Sequence, residues 1–411
     1  MSDSLHQNKK KPIAFSIMLL LGVLGIPGLY SGGMISIEDV NMMGRYMTFA
    51  IVAIGLDLIW GYTGALSLCQ ALFFSLGAYC MGMFCAHHGG PEGLIDKTGW
   101  KLPACLFVVY PYEVGESAGD ALVPLFWRPF WSLPFTIVLG LLVPGFVALV
   151  IGFFGFKSRV RGVYFAILTQ AITVAAWNFF CMNNMKFCGT NGLTRFKYLC
   201  PISHPPGTRC HPDVTSAATI HEGVRPFDLA DPNVQLTLYF ITVFCLVGVY
   251  LIAKVITNSR LGRVLIAVRD DENTLRFSGY DPANYKIFIY VISAMFAGLG
   301  GMLYAPQMKI FTPEYMTAKW SILVVIWVAV GGRGTLSGAV IGALAVNLIY
   351  NFLTSRWPDS WPFVQGALFL VVVLFVPDGI MGIPQRIKQL MGSKPTGEAP
   401  KKEPITEATV S

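Results

Sequence analysis

The sequence predicts an all-α, polytopic membrane protein with about ten transmembrane helices, within a range of eight to eleven. Two observations predict it. Apolar residues fill 54% of the 411 positions and Asp, Glu, Lys and Arg together only 13%, about half the charged share of a soluble globular domain. The apolar residues are also gathered into blocks of roughly 17 to 25, the length a helix needs to cross about 30 Å of hydrocarbon. With the bilayer as solvent, a formal charge of +7 describes the orientation of loops rather than an affinity for nucleic acid.

The blocks place spans at 13–32, 44–60, 65–86, 133–156, 162–183, 235–254, 284–305, 318–332, 336–354 and 362–378. The first follows Lys9-Lys10-Lys11 and is not followed by a small-x-small cleavage site, so it reads as a retained helix after a cytoplasmic tail, 1–12. With that tail inside, the short connections carrying Lys157, Arg159 and Arg161, then Arg260, Arg263, Arg269 and Arg276, face the cytoplasm, as does the tail with Arg386 and Lys388. Segment 87–132, with Glu92, Asp96, Glu113, Glu116 and Asp120, falls outside. Segment 184–234 falls outside too despite Lys186, Arg195, Lys197, Arg209 and Arg225, because long loops obey the charge rule weakly. The membrane-spanning body then runs 13–385, and 386–411 is expected to be a disordered cytoplasmic tail, its end rich in Pro, Gly and Lys.

One internal echo stands out. Ile59-Trp60 precedes Leu66-Ser67 and Gly77-Ala78, and Ile326-Trp327 precedes Leu336-Ser337 and Gly342-Ala343. In both places a helix ends in a glycine-containing turn and a second apolar segment follows, the pattern either of duplicated halves or of coincidence in glycine-rich membrane helices.

Several chemistries are excluded by what is missing. No G-x-x-x-x-G-K-S/T loop is present to cradle ATP phosphates, so any ATP hydrolysis belongs to a partner. No H-E-x-x-H, C-x-x-C or G-x-S-x-G arrangement appears, and no cofactor or metal is called for. An ion-coupled carrier needs ionisable groups within the membrane, and only Asp57 qualifies, near a helix end. There it either pairs with a cytoplasmic-side Arg, caps a neighbouring helix or relays a proton.

The longest charged cytoplasmic connection, 259–280, has Leu261, Val264, Leu265, Val268 and Leu275 at near-helical spacing, with Arg263, Arg269, Glu272 and Arg276 supplying charge. This reads as one amphipathic helix that either docks into a partner's groove or anchors to headgroups. Gly331-Gly332-Arg333-Gly334 reads as a tight cytoplasm-facing turn, with Arg333 an orientation anchor or a partner contact.

Gly262-Arg263, Ala267-Val268-Arg269-Asp270-Asp271-Glu272, Gly279-Tyr280 and Tyr285-Lys286 together resemble the permease subunits of branched-chain amino acid-type ABC importers. Asp57-Leu58-Ile59-Trp60-Gly61-Tyr62-Thr63-Gly64 with Leu66-Ser67-Leu68 and Gln70 is similar to that family's early signature, and Gly189-Thr190-Asn191-Gly192-Leu193 to its outer glycine motif. Val330 to Thr335 and Pro377-Asp378-Gly379 continue the resemblance, which covers about 45–385. Departures occur at Cys69, Ala71 and Cys188. Arg159 to Phe165, Ile167 to Ala171 and Phe187 to Leu193 resemble the family's urea branch more than its amino acid branch.

The resemblance implies a transport subunit, not an enzyme, in a bacterial inner membrane with both termini cytoplasmic. It implies a second related permease, two cytoplasmic ABC ATPases and an extracytoplasmic substrate-binding protein as partners, beside the lipid bilayer. It implies an ATPase-coupling role for Arg263, Arg269, Asp270, Glu272, Arg276 and Gly279. Urea is the substrate expected first, branched-chain amino acids the alternative, and a passive small-solute channel a further alternative.

A neutral, hydrogen-bonding solute wants amides, hydroxyls and aromatic edges along its path. Gln170, Thr169, Asn178, Tyr164, Thr63, Ser67 and Gln70 lie in or beside spans and supply them, although helix–helix hydrogen bonding is the commoner fate of each taken singly. In the outer loop, Cys188, Cys200, Cys210, His204, His211 and His221 fit no metal template, and a Cys200–Cys210 bridge is the disulfide considered.

Overall fold

The computed structural model describes residues 22, 25–89, 100, 103, 105–106, 123–158, 162–194, 196, 198–199, 227–357, 363–364, 366–367 and 379–381. Its helices are α1 Ile26–Ser31, α2 Ile37–Thr63, α3 Gln70–His88, α4 Leu133–Lys157, α5 Val163–Cys181, α6 Pro232–Asn258, α7 Arg260–Asp270, α8 Glu272–Phe277, α9 Pro282–Met308, α10 Ala318–Gly331 and α11 Leu336–Arg356. The fold is all-α, apart from one pairing of two-residue strands, Tyr198–Leu199 with Phe227–Asp228.

Eight of the expected spans meet one helix each, α2 to α6 and α9 to α11. Six of those eight (α2, α4, α5, α6, α9 and α11) are long and apolar enough to cross a membrane by length and composition. The other two are α3, whose side chains are nearly all enclosed by protein, and α10, which has only 14 residues. The spans expected at 13–32 and 362–378 fall mostly outside the described residues, as do the tails 1–12 and 386–411.

Helix α2 begins seven residues earlier than the apolar pattern suggests. Ser36 and Asp39 form a capping box, Asp39 N–H donating to Ser36 Oγ at 3.2 Å and Ser36 N–H to the Asp39 carboxylate at 3.0 Å. The helix stops at Gly64, whose φ of 77° is left-handed and whose N–H donates to the Trp60 carbonyl.

Helix α9 is the centre of the bundle, packed on α2, α3 and α4. Its Ala294, Ala297, Gly298, Gly300 and Gly301 are all buried except the partly covered neighbour Leu299 between them. A Cβ on Gly301 would land on the Phe74 carbonyl of α3, and one on Gly77 of α3 would land on the Gly298 carbonyl. In a lipid solvent apolar burial drives little association, so this backbone-to-backbone approach, with its dispersion contacts, is what joins these helices.

Between α2 and α3 the backbone at 64–69 is not helical, so the N–H and C=O of Leu68 need partners from outside a helix. Helix α5 supplies them. Thr169 Oγ1 accepts from Leu68 N–H at 3.0 Å, Thr173 donates to the Leu68 carbonyl at 3.2 Å, and the Cys69 thiol donates to the Thr169 carbonyl at 3.0 Å.

Cys188 is disulfide-bonded to Cys105, Cα to Cα 5.3 Å, across a sequence separation of 83. Cys200 and Cys210, the pair considered from the sequence, lie outside the described residues. Closing a loop of this length stabilises by ~4 kcal/mol in the chain-entropy picture. Non-reducing peptide mapping should therefore recover the Cys105 and Cys188 peptides as one linked species, and Cys105→Ser should lower the melting temperature in detergent. Free thiols at both positions would contradict the pairing.

Candidate functional site

The connection between α6 and α9 is two helices, not the single helix expected over 259–280. The chain breaks at Asp271, which is extended (φ −152°, ψ 100°), and its carboxylate accepts from Asn273 N–H at 2.9 Å, Thr274 N–H at 3.3 Å and the Thr274 hydroxyl. An aspartate is a better N-cap than helix interior, because its short side chain bonds nearby backbone N–H groups. The Thr274 hydroxyl, followed by these N–H groups, holds the exposed Asp271 carboxyl below the usual carboxylate range. The cap is thus intact at neutral pH and is lost as pH falls through that lowered value. At the other end Gly279 (φ 85°) closes α8 in a Schellman motif, with Gly279 N–H on the Arg276 carbonyl and Tyr280 N–H on the Leu275 carbonyl.

The six residues expected to couple to an ATPase divide between two directions. Gly262, Leu265 and Val268 bury one face of α7. Arg263 and Asp270 are exposed, as are Asn273 and Gly279. Phe277 is 92% exposed and Tyr280 47%, beside Ile266 at 36%. These form an outward face with an apolar centre and charged flanks. By contrast Glu272 ties α8 to the bundle, accepting from Arg276 at 2.7 Å and from Lys286 of α9 at 2.7 Å. Arg269 also turns inward, donating to the Gly61 carbonyl of α2 at 3.0 Å, while its Nε pairs with Asp270 at 3.2 Å.

The glycine turn after α10 meets the same end of α2. Arg333 Nε donates to the Trp60 carbonyl at 3.2 Å, with the guanidinium 5.0 Å from the Trp60 ring centroid. Gly334 N–H donates to Asp57 Oδ1 at 2.7 Å, and Asp57 is fully buried. Asp57 thus takes one of the roles considered from the sequence, holding the turn that opens α11, and makes no hydrogen bond or ion pair to Arg333 among the described residues. Gly379, the last residue of the Pro377-Asp378-Gly379 motif, packs so tightly on Gly331 and Gly332 that a Cβ there would overlap their backbone.

The path residues inferred from the sequence also divide. Thr63 donates to the Ile59 carbonyl, Ser67 to the Tyr290 hydroxyl at 3.1 Å, and Gln70 to Ser293 at 2.8 Å, so with Thr169 they gather around the 64–70 break and hold the bundle together. Asn178 is exposed and bonded to Val174 of its own helix, and Tyr164 is 77% exposed on the outer surface of α5. Gln170 differs. Both of its amide atoms are shielded and meet no hydrogen-bond partner among the described residues.

Sequence reasoning missed a narrow aromatic cleft of about 10 Å³, room for about one water, between α2, α3 and α10, where Phe49, Val52, Phe74, Tyr315, Trp320 and Trp327 meet around the turn Pro313–Met316. Phe49 stacks on Trp327 at 5.0 Å, and the Trp327 indole N–H has no partner among the described residues. The only available signal was Ile326-Trp327, which stood out merely as half of an echo.

The sequence profile of the branched-chain amino acid transport system / permease component family matches residues 40–373, most of the chain. The chain belongs to that family. It is 24% identical over 394 residues to the high-affinity branched-chain amino acid transport system permease protein LivM of Salmonella typhimurium, covering 93% of this chain and 78% of the relative. The LivM protein of Escherichia coli K12 is 23% identical over 395 residues, with the same coverage. The LivH permease of Escherichia coli K12 is 24% identical over 344 residues, 82% of this chain and 92% of the relative. No solved structure matches the chain. The family is a transport component, so the chain is a membrane transport subunit and not an enzyme.

Proposed function

We propose that this permease carries branched-chain amino acids across a bacterial inner membrane, paired with a second related permease and driven by two cytoplasmic ABC ATPases, with an extracytoplasmic binding protein delivering substrate. The observation that carries the substrate is the run of relatives matched over most of the chain, each named for branched-chain amino acid transport. Urea, the substrate first expected from the resemblance of 159–171 and 187–193 to another branch, has no support among them, and the alternative takes its place.

In this reading both termini, the 259–280 connection and the Gly331–Gly334 turn are cytoplasmic, and the Cys105–Cys188 bridge lies on the oxidising side. The outward face of α7 and α8 docks on an ATPase, with Phe277 as its anchor and Arg263 and Asp270 at its rim. Gln170, with an amide that has no partner among the described residues, lines the passage at the joint with the second permease.

Proteoliposomes holding the reconstituted complex should accumulate labelled leucine only with ATP and the ATPases present. Urea-only uptake would return the substrate to the other branch, and ATP-independent flux of either would exclude an ABC importer. Phe277→Ala should weaken ATPase binding by about tenfold, the usual loss for an aromatic anchor, as read by co-purification against ATPase concentration; unchanged binding would remove Phe277 from the interface. Gln170→Leu should lower uptake while leaving assembly and basal ATP hydrolysis intact, and wild-type uptake would take Gln170 off the path.

A further inference from the structure

The inner end of α2 is gripped by two segments more than two hundred residues away in sequence. Arg269 of α7 bonds the Gly61 carbonyl, Arg333 bonds the Trp60 carbonyl, and Asp57 holds the Gly334 N–H. The carbonyls of Trp60 and Gly61 belong to the last turn of α2, where the dipole favours a cation; Trp60 O already accepts from Gly64 N–H and takes Arg333 on its second lone pair. Gly61 sits where the three segments cross: a Cβ there would collide with the Asp57 carboxylate and lie 2.6 Å from Gly334 N. The two guanidiniums lie close enough that Arg269 acts with burial to lower the pKa of Arg333, while Asp57 opposes them. The three contacts thus fall on residues 57 to 61, within about one turn of α2.

This grip leads to both walls of the aromatic cleft. Phe49 and Val52 are on α2 itself. Val324 and Trp327 are on α10, which is locked to α11 because a Cβ on Gly331 would land on the Gly338 carbonyl and one on Gly342 on the Trp327 carbonyl. The Gly332–Thr335 turn that joins α10 to α11 is the segment held by Asp57.

We infer that Arg269 and Asp57 are positioning residues of a latch that passes motion of the coupling helices directly to α2 and to the α10–α11 hairpin, the two sides of the aromatic cleft. Arg269 is then a transmission element within the permease and not an ATPase contact, and Asp57 is a structural acceptor and not a proton relay. The inference rests on the importer reading and names the route by which ATP-driven movement reaches the cleft.

The test measures leucine uptake and ATP hydrolysis in the same proteoliposomes, with the ATPase content of each complex determined by quantitative gel. ATP-dependent uptake by the wild-type complex establishes the importer reading by itself; its absence would overturn that reading and the latch with it. Given that, Arg269→Ala and Asp57→Ala should each lower leucine transported per ATP hydrolysed by about tenfold at wild-type ATPase content. Asp57→Asn keeps an oxygen for the Gly334 N–H and should hold the wild-type ratio to within about twofold. The latch is overturned if both alanine variants keep the wild-type ratio, if Arg269→Ala loses its ATPases, or if Asp57→Asn fails as Asp57→Ala does. Arg269 is on a partly exposed connection, so if Asp57→Ala does not assemble, Arg269→Ala and Asp57→Asn decide the matter.

Discussion

Close backbone approach along α9 is the constraint on which the rest of this structure depends. In a bilayer the solvent is as apolar as the side chains, so helices gain little by hiding them and must gain by packing and by polar contacts instead. Gly298 and Gly301 let α9 touch α3 and α4 at the main chain, and Gly55 of α2 meets α9 at Ser293 in the same way. Ser293 uses that proximity twice, donating to the Gly55 carbonyl and accepting from Gln70. One larger residue in this seam would separate α2 and α3 from α9, and the irregular backbone at 64–69 would lose the frame that positions it.

That irregular segment explains why so many polar residues of the first half are buried. Interrupted helices at membrane depth persist only where protein satisfies the freed backbone. Thr169 and Thr173 of α5 do this for Leu68, Ser67 does it for the Cys69 N–H, and Ser67 also meets the Tyr290 hydroxyl of α9. The residues that look most suited to a polar passage are in large part the ones that allow the break to exist. The passage itself is better sought where hydrogen-bonding capacity is left over, at Gln170 and Trp327.

Much of the architecture was legible in the sequence because membrane thickness fixes helix length: eight spans were found in place, and Gly64 and Gly279 end their helices with positive φ. What escaped was anything set by partner identity across the bundle. The apolar pattern cannot report that Ser36 and Asp39 extend α2 outward, since their effect is local hydrogen bonding and not hydropathy. Asp271 was read as one more charge on an amphipathic face, although an aspartate followed by Thr274 is itself a capping signal. Arg269 and Glu272 looked like equivalent docking charges, yet their targets, Gly61 and Lys286, are 208 and 14 residues away and no spacing rule connects them. Cys188 was weighed against cysteines of its own loop, and its partner Cys105 is in the other one.

These elements describe a permease in which α7 is fastened to the last turn of α2, and in the mechanism proposed above the remaining motion is that of helices already locked in pairs. The most direct test is a distance measurement by electron–electron resonance between spin labels at Arg263 on α7 and Ala65 just beyond α2, in the reconstituted complex with and without bound ATP. The account predicts that this distance stays the same while a pair joining Arg263 to the outer side of α4 changes with nucleotide. A nucleotide-dependent change between Arg263 and Ala65, with α2 fixed relative to α4, would contradict it.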